Sequence, residues 1–242
     1  MSFFLKIGLF FIDIFNKIKI ISFLKKKFKN EKIVIIDVGA HTGETVDLFY
    51  NNFLIKKIIC YEASKINFIK LSKKIKKNKK FDGIIELNNI GLGKEISKLT
   101  FHQTIESSSS TFCKINYQSE YYKRKKKILN LFLDGNYVNN SEEVLIVPLK
   151  DEFKKYDLDK IDILKIDTEG YELNVLKGLD NKINLVKYIY FEHHYDNMIL
   201  KNYTFQTINS YLVKCGFKKS FKLKMPLRKT FEYIYENKDF HC

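Results

Sequence analysis

Two stretches of the chain concentrate groups able to move protons or hold oxygen. IDILKIDTEGYE (161–172) is an apolar run that delivers Asp167 and Glu169, and KYIYFEHHYD (187–196) is another that ends on Glu192, His193 and His194. Carboxylates and imidazoles are the usual general bases near neutral pH. Asp167, Glu169 and His193 are therefore the candidate catalytic groups, and Lys165, Glu192 and His194 the candidate substrate contacts. Oxygen-rich clusters also suit a divalent cation; Asp167, Glu169 and Glu192 are weighed as such a set, and the expectation is no metal. The plainer alternative is that both acids merely favour a helix N-terminus, worth about 0.3–1 kcal/mol each, and that a histidine is satisfied by Glu192 or a backbone carbonyl.

The elements that position these groups can be read from periodicity. Ile161 to Ile166 reads as a buried strand, Gly170 opens a helix carrying Leu173, Leu176 and Leu179, and Gly178 helps to end it. KYIYFEHHYD reads as another buried strand; if it is the fifth, it lies beside the fourth and its tip faces Asp167. Ligands of open α/β sheets bind at the carboxyl ends of the strands.

Upstream, KIVIIDVGAHTGETV (32–46) is a β-branched run, a glycine turn and a helix with Val46, Phe49, Tyr50 and Phe53 on one face. This is the opening of a doubly wound nucleotide-binding fold. A dinucleotide fingerprint starting at Gly39 needs glycines where this chain has His41 and Glu44, and no Gly-Lys-Ser/Thr is present. What stands is Asp37-Val38-Gly39-x-x-x-Gly43, suited to a ligand without phosphate and with a cationic centre, which describes S-adenosylmethionine. Glu62, ending KIICYEAS (57–64), is placed to accept hydrogen bonds from ribose hydroxyls. Its alternative role is a charge ahead of a helix capped by Ser64 that carries Phe68, Leu71 and Ile75.

IIDVGAHTGETV, CYEAS, NNIGLG (88–93), VPLKDEF (147–153) and DILKIDTEGYELNVLKGL (162–179) together resemble the FkbM family of S-adenosylmethionine-dependent methyltransferases, in order from residue 33 to about 194. The resemblance implies an α/β fold with a Rossmann-like, doubly wound, mostly parallel methyltransferase sheet, to which alternating segments at 217–223 and 230–236 add an antiparallel C-terminal edge. It also implies methylation of a hydroxyl, often on a sugar or secondary metabolite. Carried over by position, Asp37, Gly39, Ala40, Gly43 and Glu62 hold the cofactor, and Lys165, Asp167, Glu169 and Gly170 form the fourth-strand signature. The long stretch 101–144, with SSSST at 107–111 and a Lys-rich helical segment at 121–132, is expected as an insertion that recognises substrate.

The remaining composition narrows the partners. The formal net charge is +15, yet 41 of the basic residues are lysine and only Arg124 and Arg228 are arginine. Nucleic-acid readers lean on bidentate arginine forks, so nucleic acid is disfavoured and a small-molecule or glycan acceptor is expected. Four dispersed cysteines, without C-x-x-C spacing, fit a reducing cytosol. Residues 1–30 carry apolar side chains at helical spacing interrupted by lysines, without a run long enough to span a bilayer. They form an amphipathic helix ahead of a methyltransferase domain over 31–242. It docks either on the protein's own core or on the inner face of a membrane, where each lysine adds about 1 kcal/mol. The competing function is a non-catalytic module of the same fold recruited to that surface.

Overall fold

The computed structural model describes residues 16–129, 137–226 and 228–240. Its strands are β1 (Lys32–Val38), β2 (Leu54–Tyr61), β3 (Ile85–Asn88), β4 (Gly91–Gly93), β5 (Ser97–Thr104), β6 (Lys114–Ile115), β7 (Val138–Pro148), β8 (Ile161–Ile166), β9 (Val186–His194), β10 (Ile199–Leu200), β11 (Phe217–Lys224) and β12 (Thr230–Asn237). The helices are α1 (residues 16–25), α2 (Glu44–Tyr50), α3 (Lys65–Lys76), α4 (Glu120–Leu129), α5 (Leu149–Lys155), α6 (Glu172–Lys177) and α7 (Phe205–Lys214).

Seven strands form the central sheet in the order β11-β12-β9-β8-β1-β2-β3. The ladders from β3 through β9 are parallel. β1 and β8 lie at the centre with helices on both faces, which is why each is a nearly unbroken apolar run instead of an alternating one. β12 runs antiparallel to both β9 and β11. The reversed strand therefore sits one place in from the edge, and β11 outside it runs with the parallel set.

Alternation along each strand divides the interior into two layers. Ile36, Val38, Leu164, Ile166, Ile189 and Phe191 face α5, α6 and α7. Ile33, Ile35, Ile163, Tyr188, Tyr190 and Ile234 face α1, α2 and α3. With period two, the second face also receives Asp37 of β1, Lys165 of β8, Glu192 and His194 of β9, and Thr230 and Glu232 of β12. Polar groups from four adjacent strands are thereby gathered on one side of the sheet.

α1 packs on that side, burying Ile20, Ile21 and Leu24, with Phe28 just beyond it. Lys27 pairs with Glu236 at 3.2 Å. Residues 1–15, the first half of the predicted helix, lie outside the described residues, among which no helix is long and apolar enough to cross a membrane.

A second sheet, β4-β7-β5, flanks the first. Of the segment joining β5 to β7, the described part contains β6 and α4. β6 pairs with β10, and Ile115, Tyr122 and Tyr137 pack with Met198 and Ile199. Residues far apart in the chain thus close over the carboxyl ends of β8 and β9.

Candidate active site

A cavity of about 810 Å³ opens at the carboxyl ends of β1, β2, β8 and β9, within the usual range for a small-molecule site. One half is built from the turn after β1. Gly39 has φ +79 and its N–H donates to the Tyr61 carbonyl at 2.9 Å. A Cβ at Gly39 would lie 1.9 Å from the Asp167 carbonyl oxygen, so only glycine lets the turn pass the end of β8. His41 follows, itself left-handed at φ +50. Its backbone N–H donates to Glu62 Oε2 at 2.7 Å, and its ring Nε2 lies 2.8 Å from Ser107 Oγ.

Glu62 at the tip of β2 is buried, its other oxygen accepting the Ser64 N–H at 2.8 Å. Burial pushes its carboxyl up to about 7, although the two N–H donors pull the other way. Each carboxylate oxygen retains a second lone pair, and Glu62 lines the cavity with Gly39, His41, Ala63, Ile90 and Leu92. A buried double acceptor beside an apolar shelf and a side-chain-free turn fits the ribose and base of S-adenosylmethionine.

The other half is acidic. Lys165 Nζ lies 2.9 Å from Asp37 Oδ1 and 3.6 Å from Asp167 Oδ2. Burial works against the lysine's charge, but the two carboxylates more than offset it and hold its pKa high. Asp167 lines the cavity with 40% of its side chain exposed. Its carboxyl is pushed up by the loss of water on its sheltered side, opposed by Lys165 and reinforced by Glu192 and Glu169. Glu169 and Gly170 take consecutive left-handed conformations, φ +51 and +101. This bend carries Glu169 to His194, whose Nε2 lies 3.0 Å from Glu169 Oε2 and 2.9 Å from Glu192 Oε1.

Several expected roles change with this geometry. His193 lies on the opposite face of β9 from Glu192 and His194, because side chains alternate. It is 3% exposed, packed against the rings of Tyr195, Tyr203 and Phe205, and does not line the cavity. Burial drives its pKa down to about 3. The structure thus places His193 away from the cavity, and His194 occupies the facing position.

Asp37, Ala40 and Gly43 do not line the cavity either. Asp37 is fully buried against Lys165, Ala40 is buried in the α1–α3 layer, and Gly43 caps α2 while its carbonyl accepts from Lys74. They shape the cofactor turn from behind. Of the expected substrate contacts, Lys165, Glu192 and His194 all reach the cavity.

Sequence reasoning missed the walls supplied by two distant segments, Lys17, Ile20 and Ile21 of α1 and Met225 and Arg228 before β12, whereas Tyr121, Arg124 and Lys125 of α4 line the same space from within the expected insertion. One signal was in the composition: in a chain that uses lysine almost exclusively, both arginines line this cavity.

A parallel sheet of this order, with a glycine turn after its first strand and a carboxylate at the tip of its second, defines a nucleotide-binding fold of the S-adenosylmethionine-dependent methyltransferase class. The family model described as the methyltransferase FkbM domain matches residues 37–219, and the chain belongs to that family of S-adenosylmethionine-dependent methyltransferases. The fold is similar to the FkbM methyltransferase of Methylobacillus flagellatus KT, at TM-score 0.57 and 14% identity over 85% of this chain. This chain spans only 43% of that one. It is also similar to the N-terminal domain of human METTL16 in complex with SAH, at TM-score 0.51 and 12% identity, covering 93% of this chain and 70% of the other. No curated protein sequence matches the chain.

Proposed function

We propose that this methyltransferase transfers a methyl group to a hydroxyl oxygen of a sugar-containing acceptor. One observation supports the reading: Asp167, whose backbone abuts the Gly39 turn, presents a partly exposed carboxylate to the same cavity, where it can meet an acceptor hydroxyl. S-adenosylmethionine, when bound, supplies an electrophilic methyl carbon on a sulfonium. Glu62 then orients the ribose by accepting from its hydroxyls, and Gly39 permits close backbone approach.

Asp167, partly open to the cavity, is placed to take the acceptor's hydroxyl proton. Such a base is worth about 10²- to 10⁴-fold, while holding two reactants in line contributes up to about 7–11 kcal/mol. Glu192 and His194 stand beside it as acceptor contacts. Lys17, Arg124, Lys125, Arg228 and Lys229 line the same cavity, which favours an acceptor bearing a carboxylate or phosphate.

The test is incubation of the full chain with methyl-labelled S-adenosylmethionine and fractionated cell-envelope carbohydrate and RNA. Base-stable label in an acidic carbohydrate fraction is the expected result. Label confined to RNA would overturn the assignment of acceptor.

A further inference from the structure

We propose that Glu169, Glu192 and His194 form a divalent-cation site at the acceptor end of the cavity. Their donor atoms all lie within 4.8 Å of one another. His194 Nε2 is 3.0 Å from Glu169 Oε2 and 2.9 Å from Glu192 Oε1. Adjacent donors around an octahedral ion with bonds near 2.1 Å stand about 3.0 Å apart.

Direct hydrogen bonding does not account for this cluster. An imidazole Nε2 carries at most one proton, yet two carboxylate oxygens crowd it at the same range. Both contacts are ion-pair approaches, and among the described residues neither Glu169 Oε2 nor His194 Nε2 has a hydrogen-bond partner. Leaving such atoms unsatisfied costs about 1–3 kcal/mol each, more when charged. A cation among the three satisfies all of them at once.

The other side of the ring points the same way. Asp196, its side chain 1% exposed, has Oδ2 3.5 Å from His194 Nδ1, and that oxygen likewise has no hydrogen-bond partner among the described residues. Thr230 Oγ1 lies 3.3 Å from the same nitrogen. A proton on Nδ1, donated to Thr230 Oγ1 with the Asp196 carboxylate behind it, would leave the Nε2 lone pair toward the cavity, the arrangement that accompanies metal-ligating histidines. Glu-x-His on one strand puts both ligands on one face, and the left-handed backbone at Glu169 brings the third.

Two carboxylates and one imidazole form a mixed oxygen and nitrogen set, which suits Mn²⁺ better than Mg²⁺, whose usual ligands are oxygen alone. Three protein ligands leave positions for the acceptor. On the hydroxyl-transfer reading above, on which this role rests, the ion binds the acceptor oxygen and lowers its pKa. The cation site itself stands without that reading.

The experiment is titration of MnCl₂ into EDTA-stripped full-length protein, following free Mn²⁺ by electron paramagnetic resonance and Tm by scanning calorimetry. About one equivalent is expected to bind with a rise in Tm. Glu169→Gln, Glu192→Gln and His194→Gln each weaken binding at least tenfold, whereas Asp151→Asn, an exposed acid outside the cavity, does not. Calorimetry with S-adenosylmethionine on the same variants reports whether the cofactor half is intact, so loss of the fold is distinguishable from loss of the ion. Absence of saturable Mn²⁺ binding to the wild type overturns the site. Binding that survives all three substitutions does so too. Failure to methylate any hydroxyl acceptor, with Mn²⁺ binding intact, would instead refute the acceptor assignment.

Discussion

Asp37 and Lys165 face each other across adjacent strands, carboxylate to ammonium at 2.9 Å, in the sheet interior beneath the cavity. Both are essentially sealed from solvent. Removing one partner of such a pair leaves a buried charge uncompensated and costs about 3–5 kcal/mol, whereas removing both with apolar residues of similar volume is close to neutral. Lys165→Met alone should therefore lower unfolding stability in urea by that amount. The double variant Asp37→Leu/Lys165→Met should recover most of it.

Glu62 gives the site a pH signature. Its carboxyl is held near 7 in the folded protein against an ordinary 4.5. Because the folded pKa is raised, its contribution to stability is fully present below about 4.5 and is lost as pH rises through 7, up to about 3 kcal/mol in all. Cofactor binding has the opposite sign, since the ionised form accepts ribose hydroxyls. In calorimetry, the S-adenosylmethionine Kd should tighten as pH is raised from 5.5 to 7.5. Glu62→Gln should flatten both that trend and the difference in unfolding stability.

The two histidines of β9 should behave differently. His193→Phe keeps an aromatic ring in a nest of Tyr195, Tyr203 and Phe205. It is expected to leave kcat within about fivefold of wild type, because a base would be worth about 10²- to 10⁴-fold. Asp167→Asn should instead lose that larger factor in kcat with S-adenosylmethionine affinity retained. Steady-state kinetics on the identified acceptor checks both.

Gly39→Ala places a methyl where the Asp167 carbonyl stands, in a left-handed conformation. A strained alanine of this kind costs more than about 1 kcal/mol, and here the turn must also move. S-adenosylmethionine affinity should fall at least tenfold by calorimetry.

Leu24 tests how firmly α1 belongs to the domain. It is fully buried in the layer against β1 and β2. Truncating such a leucine costs about 2–5 kcal/mol, so Leu24→Ala should shift the urea midpoint clearly. An unchanged midpoint would mean that the helix does not dock on the sheet in solution.

Most of the architecture was legible because its signals are local. The β-branched runs at 33–38 and 161–166, the glycine turn at 39–43 and the Ser64 cap each follow from neighbouring residues, and Ser64 does accept the Asn67 N–H. The same holds for the strand pair near the C-terminus, although insertion of β12 between β9 and β11 is decided by long-range pairing.

The site was legible only as a set of strand tips. Sequence by itself placed Asp167, Glu169, Glu192 and His194 at the carboxyl ends of two strands, with a glycine turn upstream that excludes a dinucleotide; that the two strands are neighbours is decided by the pairing of β8 with β9. Period two already puts Glu192 and His194 on one face of β9; tertiary structure decided which face looks into the cavity. Alternation along β9 turns His194 inward and His193 into an aromatic nest, register opposes Asp37 to Lys165, and a left-handed bend brings Glu169 to His194. It also carried α1, α4 and the residues before β12 over the sheet. Burial is set by the packing of distant segments, and no local pattern of residues encodes it.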